Sequence, residues 1–123
     1  MFNPQELKFT KEHEWIGPDG TVGISDHAQH ELGDVVFVEL PKLSGTLKKG
    51  QEMGVLESVK SVSSIYSPVD GTVSKINEKL SEDPDLVNKE PYGQGWIAVI
   101  SMSDKKQLDG LMDYTEYMKF VGK

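Results

Sequence analysis

Gly50-Gln51-Glu52-Met53-Gly54-Val55-Leu56-Glu57-Ser58-Val59-Lys60-Ser61-Val62-Ser63-Ser64-Ile65-Tyr66-Ser67-Pro68-Val69-Asp70-Gly71 is the stretch on which the reading of this chain turns. Met53 to Ser58 and Val62 to Tyr66 are short, strand-like runs, and Pro68-Val69-Asp70-Gly71 closes the second with turn residues. Lys60 stands ten residues after one glycine and eleven before the other. Near-equal arms place it at the tip of a β-hairpin. Its amine then projects into solvent from a base held by two paired strands, within reach of an external enzyme. Spacing alone leaves two readings open, a covalent tethering point or an ordinary solvated turn lysine.

Outward from the hairpin, the pattern stays β-rich. Leu7 to Trp15 reads as one half-buried strand, Gly17-Pro18-Asp19-Gly20 as a turn, and Thr21 to Ile24 as the returning strand. A short helix is expected from His27 to Leu32, with Asp26 as N-cap and Gly33 as terminator. Val35 to Leu40 is a strand stopped by Pro41, and Leu43 to Gly50 a polar connection ending in the Lys48-Lys49-Gly50 turn. Thr72 to Ile76 and Trp96 to Ser101 form two more strands, separated by a loop carrying Pro84, Pro91, Gly93 and Gly95. Ser103 is placed to cap a helix through Leu111. Asp113 and Glu116 make a capping box for another, whose Tyr114, Tyr117, Met118 and Val121 form a stripe suited to core packing.

The 123 residues, 37% hydrophobic, suffice for one core, so a single domain spanning 1–123 is expected. A net charge of -7 repels nucleic-acid backbones and anionic membranes, so neither is an expected partner. All basic side chains are lysine, which removes the arginine fork that grips phosphates. The absence of cysteine removes disulfides and thiolate chemistry. No apolar run approaches the roughly 20 residues of a membrane span, and Met1 to Glu6 lacks a secretory pattern. A soluble monomer is expected, cytoplasmic if bacterial and in the mitochondrial matrix if a processed eukaryotic protein.

Catalytic motifs are missing. His27 and His30 lie three apart on the expected helix, but nothing completes a metal set around them or His13. No Gly-x-Ser-x-Gly elbow occurs, and Gly93-x-Gly95 lacks the lysine and helix start of a phosphate loop. Glu82 and Asp83 read as a solvated loop. The absence of a catalytic constellation stands against a free-standing enzyme.

Glu57-Ser58-Val59-Lys60-Ser61, followed by Tyr66-Ser67-Pro68-Val69-Asp70-Gly71, resembles the lipoyl-attachment hairpin of glycine cleavage H-proteins. The resemblance extends through His13-Glu14-Trp15-Ile16, Gly23-Ile24-Ser25, His27-Ala28-Gln29, Leu32-Gly33-Asp34-Val35-Val36-Phe37-Val38-Glu39-Leu40-Pro41, Asn88 and Pro91-Tyr92-Gly93-x-Gly95-Trp96. It covers nearly the whole chain. Biotin carriers usually show methionines around the lysine and 2-oxo acid dehydrogenase lipoyl domains Asp-Lys-Ala, and Val59-Lys60-Ser61 fits neither.

The resemblance implies a mainly β fold, a flattened β-barrel or barrel-sandwich hybrid of two antiparallel sheets with a short internal helix and C-terminal helices. It implies lipoate joined to Lys60 as an amide, with Glu57, Ser58 and Val59 forming the attachment hairpin. The implied partners are a pyridoxal-phosphate glycine decarboxylase, a folate-dependent aminomethyltransferase, a flavin dihydrolipoamide dehydrogenase, and the lipoate ligase or lipoyl/octanoyl transferase that installs the arm. The protein would carry the aminomethyl group from the decarboxylase to the transferase, sheltering the loaded arm in a surface cleft where Glu14 matches a carboxylate for the charged amine. A carrier without cysteine also offers no thiol to exchange with the arm's disulfide.

Three departures from the family pattern concern the cleft. Ser64 replaces an acidic residue four positions after the lysine, His30-Glu31 displaces a cleft histidine so that His30 is the expected cleft residue, and the Gly17 to Val22 loop is short. Two alternatives share the attachment chemistry: a lipoyl relay supplying other complexes, and a biotin carrier module.

Overall fold

Glycine, proline and short β-branched runs recur through the chain and cut it into many brief strands. The computed structural model describes residues 2–122. Its strands are β1 (Lys8–Phe9), β2 (Glu14–Ile16), β3 (Thr21–Ile24), β4 (Val35–Glu39), β5 (Thr46–Leu47), β6 (Glu52–Ser58), β7 (Val62–Tyr66), β8 (Gly71–Ile76) and β9 (Ala98–Met102). Helices α1 (Asp26–Leu32), α2 (Leu86–Lys89) and α3 (Tyr114–Phe120) join them, with 3-10 turns at Pro4–Glu6, Glu78–Ser81 and Lys105–Gly110. One sheet runs β1-β2-β3-β9-β8-β5 and the other β4-β6-β7, and every pairing is antiparallel. This is the two-sheet, mainly β architecture expected, with the sheets packed as a flattened sandwich and not closed into a barrel.

The larger core lies between the sheets and includes Val22, Leu56, Ile65, Val73, Ile97 and Ile100. A second cluster joins Leu7, Phe9, Trp15 and Tyr117. Phe9 stacks on Tyr117 with ring centroids 4.5 Å apart and planes inclined by 10°. The C-terminal stripe is therefore core, as its periodicity predicted. Its helix also starts where the capping box placed it, with the Asp113 and Glu116 side chains each bonded to the other's backbone N–H.

Several expectations need correcting. Leu7 to Trp15 is not one strand. β1 folds back on β2, pairing Lys8 with Ile16 and Phe9 with Trp15. The bend forms because the Thr10 hydroxyl accepts the backbone N–H groups of Glu12 and Glu14, while His13 takes a left-handed φ of 74°. The N-cap of α1 is Ser25, whose hydroxyl accepts from Ala28 N, and Asp26 is the first helical residue.

Within the polar Leu43 to Gly50 connection, β5 pairs Leu47 with Gly71 and buries the leucine, an event too short to leave a period. The loop before β9 contains α2 and the Glu78–Ser81 turn, which bury Val87 and Leu80. Ser103 caps nothing. Asp104 accepts from Lys106 N and begins a 3-10 turn where an α-helix was expected.

Candidate functional site: the Lys60 turn and its groove

β6 and β7 pair Glu57 with Val62 and Leu56 with Ser63, leaving Ser58 to Ser61 as the turn. Ser58 holds it from within. Its N–H donates to the Ser61 carbonyl at 2.8 Å, and its hydroxyl accepts the N–H groups of Ser61 at 3.0 Å and Lys60 at 3.3 Å. The Val59 N–H donates to the Asp34 carbonyl at 3.1 Å, tying the tip to the segment after α1. Lys60 is exposed there.

Its stem crosses Gly33, where an added Cβ would lie 3.1 Å from Lys60 Cε, and where φ is already 84°. Glycine fits this position on both counts.

Asn88 anchors the Gly33–Val35 segment. Its amide donates to the Gly33 carbonyl at 2.9 Å and Gln29 Oε1 at 3.0 Å, and its oxygen accepts from Val35 N at 2.8 Å. Loss of these bonds in Asn88→Ala is expected to cost about 2–3 kcal/mol at about 1 kcal/mol each. Amide exchange at Val59 should accelerate beyond what the global loss explains. Unchanged Val59 protection relative to the core would show that Asn88 does not brace the tip.

A groove of about 330 Å³ runs from Ser61 in the turn and Val62 at the start of β7 to Glu14, between the hairpin and α1. Ile24, Leu32, Leu56 and Ile65 supply apolar wall. At its far end Glu14, only 2% exposed, accepts a hydrogen bond from the Thr10 hydroxyl and another from Tyr66 N at 3.0 Å. Burial pushes its carboxyl above the usual range, against the opposing pull of those two donors. No cation faces it among the bonded partners.

The sign of the linkage is fixed by that raised value. The folded state binds more protons than the unfolded chain between the ordinary carboxylate pKa of 4.5 and the higher folded value. Glu14 therefore contributes stability below pH 4.5 that is lost as pH rises through its folded pKa. Denaturant melts should show Glu14→Gln gaining on wild type between pH 4 and pH 7. A pH-independent difference would contradict the raised value.

The sequence-derived residues fare differently. Glu14 and Ser64 both line the groove. The Ser64 hydroxyl donates to Glu52 Oε1 at 2.6 Å, a carboxylate that does not itself line the groove. Glu57 lies half-buried on β6, between Phe37 and Val62 in register. His30 stays outside the groove, exposed, with Nε2 3.5 Å from Asp26. Position 30 lies on the solvent face of α1, and the groove positions 27, 28 and 31 fall on the other side of the helix.

His27 and Glu31 take the place expected of His30, and His13 joins them. The rings of His13 and His27 are 5.1 Å apart. Their convergence was hidden because His13 and α1 belong to different elements, although the position of His13 beside Glu14 was a usable signal. Among the described residues, no group of three or more His, Asp or Glu is placed to hold a metal ion, and no helix is long and apolar enough to cross a membrane.

The family model described as the glycine cleavage H-protein matches residues 7–123. The glycine cleavage system H protein of Myxococcus xanthus is 54% identical over 117 residues, covering 93% of this chain and 91% of that protein. The Halothermothrix orenii protein of the same name is 50% identical over 121 residues, covering 96% and 94%. Among solved structures, a glycine cleavage system H protein from Mycobacterium marinum superposes with a TM-score of 0.88 at 32% identity, over 98% of this chain and 100% of that one.

Proposed function

The chain belongs to the glycine cleavage H-protein family, and we propose on that premise that Lys60 carries lipoate as an amide and makes residues 1–123 one lipoyl-carrier domain. The protein is the carrier of the glycine cleavage system, working within a set of enzymes. When bound, lipoate supplies a dithiolane whose sulfur accepts the aminomethyl group of glycine and gives it up again.

The residues present fit such an arm. Lys60 is exposed at a turn that Ser58 and Asp34 hold in place. The groove beginning beside it has aliphatic walls for a methylene chain and ends in a buried carboxyl that has neutral donors but no cation. An ammonium arriving there offsets the desolvation of Glu14 and forms a charge-assisted bond. The walls keep water from the labile end of the arm. This alignment of an exposed lysine with a groove closed by a buried carboxyl is the observation that carries the reading.

The partners follow from the same chemistry: a pyridoxal-phosphate decarboxylase loads the arm, a folate-dependent aminomethyltransferase empties it, a flavin dehydrogenase reoxidises it, and a ligase or transferase installs it. The carrier has no catalytic role of its own. Lipoate relay and biotin carriage are the alternatives, and the family match favours neither.

Incubation with lipoate, ATP and a lipoate ligase should add one lipoyl mass to the peptide spanning Lys60. An adduct on another lysine, or biotin uptake at Lys60, would defeat the proposal. Glu14→Ala should still be lipoylated but shorten the lifetime of the loaded arm about tenfold, the loss of roughly one charge-assisted bond at 1.5–3 kcal/mol being partly replaced by water. Equal lifetimes would remove Glu14 from the role.

A further inference from the structure

Among the described residues, His13 is bonded through one ring nitrogen. Its Nδ1 lies 2.8 Å from the Tyr117 hydroxyl, which lies 2.6 Å from the Ser25 hydroxyl, which in turn accepts from Ala28 N at 3.1 Å. Ser25 and Tyr117 are fully buried, so each hydroxyl proton must find an acceptor inside this row.

Only one direction satisfies all of them. If Ser25 donates to Tyr117, and Tyr117 donates to His13 Nδ1, both hydroxyl protons are used and the neutral imidazole carries its own proton on Nε2. In the reverse direction, His13 Nδ1–H donates to Tyr117 and Tyr117 to Ser25. The Ser25 proton is then left in the interior without an acceptor, which costs the folded state the desolvation of that group. Burial also lowers the pKa of His13, an effect strengthened by His27 and opposed by Glu12 and Glu31, so the ring stays neutral at physiological pH.

We propose that His13 is a fixed hydrogen-bond donor at the Glu14 end of the groove, presenting Nε2–H to the arm sulfur that does not bear the one-carbon group. The proposal rests on the carrier reading above and assigns a task that Glu14 cannot perform. A carboxylate suits the ammonium and repels a thiolate. A neutral N–H does the opposite. Glu12, Glu14 and Glu31 all line the groove and disfavour a sulfur anion, with His27 the other titratable ring there, so His13 is the group that offsets them. Tyr117 and Ser25 act as positioning residues, holding the ring and selecting its tautomer.

Two measurements test this on the full-length chain. In the unlipoylated protein, long-range proton–nitrogen NMR on labelled histidine should report His13 as the Nε2–H tautomer. Tyr117→Phe, which removes the donor to Nδ1, should admit the other tautomer. A wild-type ring protonated on Nδ1 overturns the proposal.

In the lipoylated protein loaded with the aminomethyl group, absorbance of the one free thiolate is followed against pH. His13→Asn keeps a polar atom near the Nδ1 position and tolerates the left-handed backbone, but removes the groove donor. It should raise the pKa of that thiol by about one unit, or about tenfold less thiolate below the midpoint. His13→Gln, whose amide reaches the Nε2 position, should restore part of the shift. Identical titrations of wild type and His13→Asn overturn the assignment to sulfur. Failure of Lys60 to accept lipoate overturns the carrier reading and the sulfur assignment with it, whereas the tautomer measurement needs no arm and stands apart from that failure.

Discussion

Lys60→Arg is expected to fold like wild type and to gain no lipoyl group, reducing modification from one arm per chain to none. Acylation needs a neutral amine as nucleophile. A lysine amine in water reaches that form readily, whereas a guanidinium stays protonated and has its lone pairs delocalised. Little else changes. Position 60 is exposed, and its backbone N–H bonds to Ser58 whatever the side chain, so stability should stay within about 0.5 kcal/mol of wild type. Intact mass after ligase treatment reads the first effect and a denaturant melt the second. A lipoyl adduct on the variant would place the arm on another lysine. Unfolding would show that the lysine stem across Gly33 is a structural contact in its own right.

The largest loss of stability is expected from Trp15→Ala. Trp15 is fully buried beside Glu14, and its indole N–H donates to the Pro91 carbonyl at 3.0 Å. Phe2 packs against one side with centroids 5.1 Å apart and Tyr92 against another at 6.2 Å. Across the pairing of β2 with β3, Gly23 lies opposite. A Cβ there would come within 2.6 Å of the indole, so the glycine makes room for the ring. Removing the indole empties this space and strands the Pro91 carbonyl. The cost should be about 3–5 kcal/mol. Thermal melts should show a fall on the order of 10–20 °C. A fall of only a few degrees would mean that the second core cluster contributes little.

The sequence was most informative where turn chemistry and period agree. β7 has the bounds read from Val62 and Tyr66, Gly33 ends α1, and the Asp113–Glu116 box opens α3, because each depends on neighbours in the chain. It was least informative where one hydroxyl decides. Thr10 splits an apparent strand in two by accepting two backbone N–H groups, and Ser25 displaces Asp26 as cap. Neither competition leaves a periodic trace.

The site divides in the same way. The turn position of Lys60 and the groove position of Glu14 agree with their flanking motifs. His30 was misplaced because the expected helix fixed its position along the chain but not which side met the hairpin. His13 was passed over because its partners, Tyr117 and Ser25, come from distant parts of the chain.

That distance also separates what the two ends of the groove depend on. The Lys60 turn is held by the strands flanking it, the Asp34 carbonyl and the segment that Asn88 anchors, whereas the ring of His13 is held by Tyr117 in α3. Because one domain folds as a unit, the two ends of the groove form together even though their contacts come from different elements. Removing the Tyr117 hydroxyl would thus disturb the His13 end directly while leaving the bonds at the Lys60 turn in place.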